Sequence, residues 1–255
     1  MSSGWKNGKT WISSAHQGFV TGNMHSNTLA AYRLAAQKGA DMIETDVRTT
    51  IDGVFIVNHD AEVRGFNEQG EPVTYVISDT KYEDIARVHL TEELTEDDHV
   101  PTLEQTLDLV YFAGMCLNID LKEGLLHAED VAHEVVSHGM RGRVVYATNG
   151  AGAEAINRIL KIDPQARFID TPWNYTRELL SSVKDHADKC YAYTGDFSDE
   201  NIRRIRESGC MLATISLNAE NAEAAFRHHP DMAEYPHTSD FEAIEKKLTE
   251  SKKLL

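Results

Sequence analysis

"DMIETDVRTTIDGVFIVNHD", residues 41–60, is the stretch on which the fold turns. Residues 41–47 read as one β-strand and residues 54–60 as another, with only "RTTIDG" between them. A parallel crossover needs about a dozen residues or more. The second strand therefore folds back as an antiparallel hairpin, with Asp52-Gly53 at its turn. Elsewhere strands alternate with helices. The strands are 10–16, 41–47, 115–121, 143–147, 166–170, 189–193, 210–216 and 231–235. Between them lie helical patterns such as "SNTLAAYRLAAQKG", "AEDVAHEVVSHG", "GAEAINRILKID", "TRELLSSVKDHA", "DENIRRIRESG" and "NAEAAFRHH", several of which end in glycine. Repeated β-then-α units call for a parallel sheet. Eight such strands in about 250 residues fit a TIM (β/α)8 barrel better than a doubly wound sheet. The expected fold is an α/β barrel with one extra hairpin strand, in one domain spanning 1–255.

Residues 60–100 are polar and contain the run "TEELTEDD". They read as a small excursion over the barrel mouth, with the acidic run as a solvated face. The chain of 255 residues carries 25 basic and 41 acidic side chains, a net charge of −16. That field excludes a general nucleic-acid or anionic-membrane binder. It also means that a phosphate site needs local cations. Cys116, Cys190 and Cys210 are widely spaced in β-like runs, without zinc-type spacing. They read as buried thiols in a reducing compartment. "MSSGWKNGKTW" lacks a signal-peptide core, and no run approaches the roughly 18 apolar residues of a membrane span. The expected location is cytoplasmic. The sequence leaves room for a homo-oligomer.

Barrel enzymes place their chemistry at the C-terminal ends of the strands. His16, in "SAHQGF" (14–19), ends the first strand, and His59 ends the hairpin strand. Glu44 and Asp46 lie two apart, as do Asp120 and Lys122, so each pair shares a strand face. Three carboxylates meeting at one point make a hard-oxygen site suited to one divalent cation, Mg2+ or Ca2+. A lysine beside them can hold a phosphate, and two histidines can act as an acid–base pair near neutral pH. Taken singly, each residue has an ordinary structural explanation; the combination points to a site. "HEVVSH" (133–138) spaces its histidines five apart rather than the four of a zinc-protease helix, so His133 and His138 read as ordinary helix residues. The pair His228-His229 reads as a helix C-terminus feature.

The segment from "SAHQGF" to "VFIVNHD", 14–60, resembles the opening of the glycerophosphodiester phosphodiesterase family, with its A-H-R-G, E-N-T-L, G-A-D, I-E-x-D-V, T-x-D-G and H-D in order. "HVPTLEQTLDLV" and "LNIDLK", within 99–122, resemble its I-P-T-L-E-E-x-L and L-N-I-E-I-K. Beyond residue 140 the likeness is one of architecture. The resemblance implies a divalent-metal phosphodiesterase acting on a small glycerophosphodiester. It implies Glu44, Asp46 and Asp120 as metal ligands, His16 and His59 as acid and base, and Lys122 in the catalytic and phosphate-binding set.

The chain departs from the pattern at two linked places. Gln17 stands where the family has arginine, and Ser26 where it has glutamate. Gln17 is expected at the substrate, as a neutral amide in place of a charged fork. Loss of both charges together is coherent if the two positions pair. Near the C-terminus, "ATISLN" (213–218) replaces W-T-V-N and "AEYPHTSD" (233–240) replaces I-I-T-D-Y-P. Trp173 or Tyr175 is a candidate for the missing apolar wall, and His25 and His237 are candidates for the barrel mouth. Two other functions stay open: a lyase that releases a cyclic phosphate, and a barrel that binds a phosphorylated ligand without turnover.

Overall fold

A computed structural model describes residues 11–93, 98–147, 152–170, 183–236 and 238–252. In chain order the strands are β1 (Ile12–Ala15), β2 (Met42–Thr49), β3 (Phe55–Val57), β4 (Glu62–Phe66), β5 (Pro72–Val76), β6 (Cys116–Leu121), β7 (Val144–Ala147), β8 (Arg167–Asp170), β9 (Cys190–Thr194), β10 (Met211–Thr214) and β11 (Met232–Tyr235). Among the described residues, β1, β2 and β6 to β11 pair in parallel, and β1 bonds to both β2 and β11, which closes the barrel. β3 adds antiparallel to β2, with Thr49 opposite Phe55, so the hairpin expectation holds. Its loop spans residues 50–54, and Gly53 there takes a φ of 81°.

The strand period of two sorts the barrel interior into layers. Ile12, Met42, Cys116, Val145, Tyr191, Ala213 and Met232 form one apolar cluster inside the barrel. Two residues further along their strands come Ser14, Glu44, Asn118 and Glu234, with Ser14 opposite Glu234 and Glu44 opposite Asn118. The next step brings Asp46 opposite Asp120. β1, β2, β6 and β11 thus run from an apolar floor to a polar top. The alternate residues, including Ile43, Val47, Leu117, Ile119, Val144 and Phe168, pack into the main core with the surrounding helices. Burying each such side chain contributes about 1.5–3 kcal/mol.

Residues 60–100 differ from the plain polar excursion the sequence suggested. They contain the β4–β5 hairpin and a separate apolar cluster of Val63, Ile77, Ile85, Val88 and Val100, seated on Ile56 of β3. Alternation in β4 sends Val63 into this cluster, while Glu62 and Arg64 share the opposite face. Gly65 is required where the hairpin meets the chain behind it: a Cβ there would lie 2.2 Å from the His89 carbonyl oxygen. Asp98, placed by the sequence on a solvated face, is buried and accepts the Thr91 N–H at 2.5 Å. Residues 94–97 of that acidic run lie outside the described residues.

The pattern "TRELLSSVKDHA" is helical in the sequence reading, but its described end is a 3-10 turn, Lys184–Lys189, with non-helical angles at His186. Trp173, Tyr175 and His237 lie outside the described residues. Cys116, Cys190 and Cys210 are buried thiols outside disulfides, as expected. Among the described residues, no helix is long and apolar enough to cross a membrane.

Candidate active site

The polar top of the barrel gathers the acidic residues singled out in the sequence. Glu44, Asp46 and Asp120 each bring one carboxylate oxygen within 4.8 Å of the others. Burial holds the Glu44 carboxyl well above the usual range, and the negative charges of Asp46, Glu234 and Asp120 push it further. The Gln17 backbone N–H, donated to Glu44 Oε2 at 3.0 Å, pulls the other way. Lys122 Nζ sits 2.8 Å from Asp46 Oδ1 and 2.6 Å from Asp120 Oδ2. Burial alone would lower its pKa; these two carboxylates outweigh burial and raise it.

The cluster is more acidic than the sequence reading allowed. Glu234 on β11 is 3% exposed and its carboxyl is pushed up to about 8. Desolvation is the largest cause; the Tyr193 hydroxyl opposes it, and Asp46 and Asp120 add to it. Its signal was present in "DMAEY", where alternation from apolar Met232 turns position 234 inward, but which strands it would face depends on barrel closure.

The loop from β1 to the helix Leu29–Lys38 supplies more contacts. Gln17 and Asn27 take left-handed φ values of 53° and 56°. Between them, Gly18 is required by contact, since a Cβ would lie 2.9 Å from Ala31 and Tyr32. Asn27 Nδ2 donates to Asp46 Oδ2 at 2.7 Å, and Gln17 Nε2 donates to the same oxygen at 2.8 Å. Tyr32 donates its hydroxyl to Asn27 Oδ1 at 2.9 Å, leaving Thr45 Oγ1, 2.5 Å away, to donate to Tyr32. Thr28 then caps the helix, accepting from the Ala31 N–H. Asn27 is a site residue that the sequence reading missed; its position inside "SNT", before a helix cap, was the only local signal.

His16 lies beside this cluster, and His59 lines the cavity next to it. His16 Nε2 lies 3.9 Å from Glu44 Oε2. His59 Nδ1 lies 2.9 Å from Asp60 Oδ1, and that hydrogen bond is the main cause of a lowered Asp60 pKa. Arg48 holds the His59 carbonyl with Nε and Nη2, at 3.0 and 2.7 Å, and reaches Glu123 with Nη1. A cavity of about 400 Å3 opens beside the cluster. Gln17, Asn27 and His59 line its barrel side, while Glu62, Arg64 and Leu90 bring the capping hairpin and the segment behind it to the far side. His25 also lines it, as the sequence suggested. His133 and His138 take no part: His138 closes the helix Ala128–Ser137.

Buried oxygen donors, one ammonium and two strand-end histidines beside an open cavity are the parts needed to bind a cation with a phosphorylated molecule and to move protons there. The sequence profile described as the Glycerophosphoryl diester phosphodiesterase family matches residues 16–148. A glycerophosphodiester phosphodiesterase of Caldanaerobacter subterraneus subsp. tengcongensis is 34% identical over 220 residues, covering 75% of this chain and 88% of the relative. Among solved structures, a glycerophosphodiester phosphodiesterase from Agrobacterium tumefaciens superposes with a TM-score of 0.67 at 22% identity, covering 89% of this chain and 96% of that one. An Oleispira antarctica phosphodiesterase, solved in complex with the product sn-glycerol-3-phosphate, superposes with a TM-score of 0.70 at 17% identity, covering 92% and 96%.

Proposed function

The chain belongs to the glycerophosphoryl diester phosphodiesterase family, a family of phosphoric diester hydrolases, and on that premise we propose that it hydrolyses a small glycerophosphodiester with the help of one divalent cation. The observation that carries the reading is the meeting of Glu44, Asp46 and Asp120 within 4.8 Å at the C-terminal mouth of the barrel. The donor set fits a hard cation: all three ligands are carboxylates, and the Glu44 carboxyl is raised first by burial and then by the negative charges of Asp46, Glu234 and Asp120 around it. Mg2+ and Ca2+ both suit such a set. When bound, the cation would stabilise charge on the phosphate oxygens.

The chain's own groups do the rest. Lys122 balances the buried carboxylates and presents a cation to phosphate. His16 and His59 divide the proton transfers, one taking a proton from the attacking oxygen and the other giving one to the leaving oxygen. Asp60 engages His59 at Nδ1, which leaves Nε2 for the transfer. The cavity towards Arg64 accommodates one alcohol group of the diester. In this reading the barrel and its cap act as one catalytic domain, and the three buried thiols suit a cytoplasmic setting.

Phosphorus NMR of glycerophosphocholine and glycerophosphoethanolamine, with Mg2+ or Ca2+, tests the reading. A phosphomonoester is the expected product. Accumulation of a cyclic phosphate would make the protein a lyase, and unchanged diester with bound ligand would make it a binding barrel. Full turnover in excess chelator would remove the metal from the account.

A further inference from the structure

Gln17 is the residue the sequence sets apart in "SAHQGF", and its contacts fall on the acidic cluster itself. Its backbone N–H donates to Glu44 Oε2 at 3.0 Å, and its side-chain Nε2 donates to Asp46 Oδ2 at 2.8 Å. Its side-chain oxygen accepts from Ser26 Oγ at 3.1 Å, and its backbone oxygen accepts the Asn27 N–H at 2.9 Å. The amide can face only one way. A carboxylate accepts and does not donate, so the nitrogen end must meet Asp46 and the oxygen end must meet Ser26.

We propose that Gln17, anchored by Ser26, is a positioning residue that fixes Asp46 and Glu44 as metal ligands, in place of the substrate contact its sequence position suggested. The inference rests on the metal reading above and deepens it.

Asp46 is 1% exposed and held on both oxygens. Oδ2 receives Gln17 and Asn27, and Oδ1 faces Lys122. Each carboxylate oxygen has two acceptor directions: the two amides occupy both at Oδ2, and Lys122 leaves one at Oδ1 for a cation. What the amides remove is the freedom of the carboxylate to rotate away. Outer donors of this kind orient ligands and tune affinity. A neutral amide does this without adding positive charge beside a dication; a guanidinium at the same place would repel it. The backbone supports the assignment. A left-handed φ of 53° is unfavourable for a non-glycine residue and persists where surrounding contacts over-determine it. Here that conformation aims the Gln17 N–H at Glu44.

The test is calorimetric titration of Ca2+ and Mg2+ into chelator-treated wild type, Gln17→Met and Ser26→Ala, with circular dichroism to confirm folding. Gln17→Met should weaken cation binding by about 10–100-fold, the usual effect of losing an outer-shell partner. Ser26→Ala leaves the amide facing Asp46 but without its anchor at the oxygen end, and should weaken binding by about two- to tenfold, the span of one neutral hydrogen bond. At saturating cation, the KM for glycerophosphocholine in Gln17→Met should stay within about twofold of wild type. Unchanged cation affinity in both variants overturns the assignment, and a raised KM alongside it would return Gln17 to phosphate binding. If Gln17→Met does not fold, Ser26→Ala decides by the same criterion. A wild type that binds neither cation overturns the metal reading and this inference together, a result distinct from wild-type binding with unaffected variants.

Discussion

Lys122 Nζ lies 2.6 Å from Asp120 Oδ2, two residues back along the chain, and the same ammonium reaches Asp46 Oδ1 on the neighbouring strand. One side chain thus ties together two of the carboxylates proposed to hold the cation. The three groups are all largely shielded from water, so their charges interact strongly and their desolvation must be offset locally.

Lys122→Met should therefore destabilise the metal-free protein by about 1–3 kcal/mol, the scale of leaving a buried polar group without its partner. Added Ca2+ or Mg2+ should recover much of that loss, because the cation replaces the missing charge. Turnover should not recover, since Lys122 is also proposed to hold the phosphate. Urea unfolding with and without cation reads the first effect and NMR turnover the second. An unfolding midpoint unmoved by the substitution would count against the charge-balance role.

His16→Ala and His59→Ala should each lower turnover by about two to four orders of magnitude, the usual share of general acid–base catalysis. Neither should lower stability much, because both side chains are substantially exposed, at 42% and 58%. Wild type should show a bell-shaped pH–rate profile, and each variant should lose one limb. Near-normal turnover in either variant would remove that histidine from the mechanism.

Glu234 predicts how stability responds to pH. Its carboxyl is raised from 4.5 to about 8 in the folded state. Below 4.5 it is protonated whether folded or unfolded, and its favourable contribution is fully present. As pH rises towards 8, the unfolded chain ionises first and that contribution is lost. The metal-free protein should become less stable between pH 5 and 9 by an amount on the order of a few kcal/mol. Glu234→Gln should flatten this slope. Thermal melts of the two proteins in chelator provide the comparison; parallel curves would show that Glu234 does not govern the response.

Gly65→Ala should loosen the cap. The new methyl group would lie 2.6 Å from Val88 Cγ1 as well as against the His89 carbonyl. Relief requires the hairpin to move, at a cost of about 1–3 kcal/mol for an overpacked site. Because Glu62 and Arg64 line the cavity from that hairpin, KM should rise more than kcat falls. Steady-state kinetics at saturating cation checks the split; a fall in kcat alone would place the effect in the chemistry instead.

Much of this protein is set by short-range pattern. The parallel strands, the helices between them and the reversed strand after Gly53 follow from apolar periodicity and from loop length, which neighbouring residues define. The pairs Glu44/Asp46 and Asp120/Lys122 were legible for the same reason: a strand repeats every two residues, so each pair must share a face. The cap hairpin was not legible. Both strands are only five residues long, with Gly65 inside β4 and Pro72 opening β5, and their apolar partners are scattered between Val63 and Val100.

The site's cross-chain relationships belong to tertiary structure. Glu234 meets residues near position 44 only because β11 closes against β1. Gln17 and Asn27 reach Asp46 through a tight loop whose left-handed residues carry no periodic signal. Asp98 is acidic and sits in an acidic run, yet it is buried because Thr91 offers it a backbone N–H. Sequence alone determined which residues are polar, which face of a strand they occupy and the order in which strands arrive. Barrel closure and loop conformation decided which of them touch, because the strength of a contact between charges depends on distance and burial, and neither is a property of neighbours in the chain.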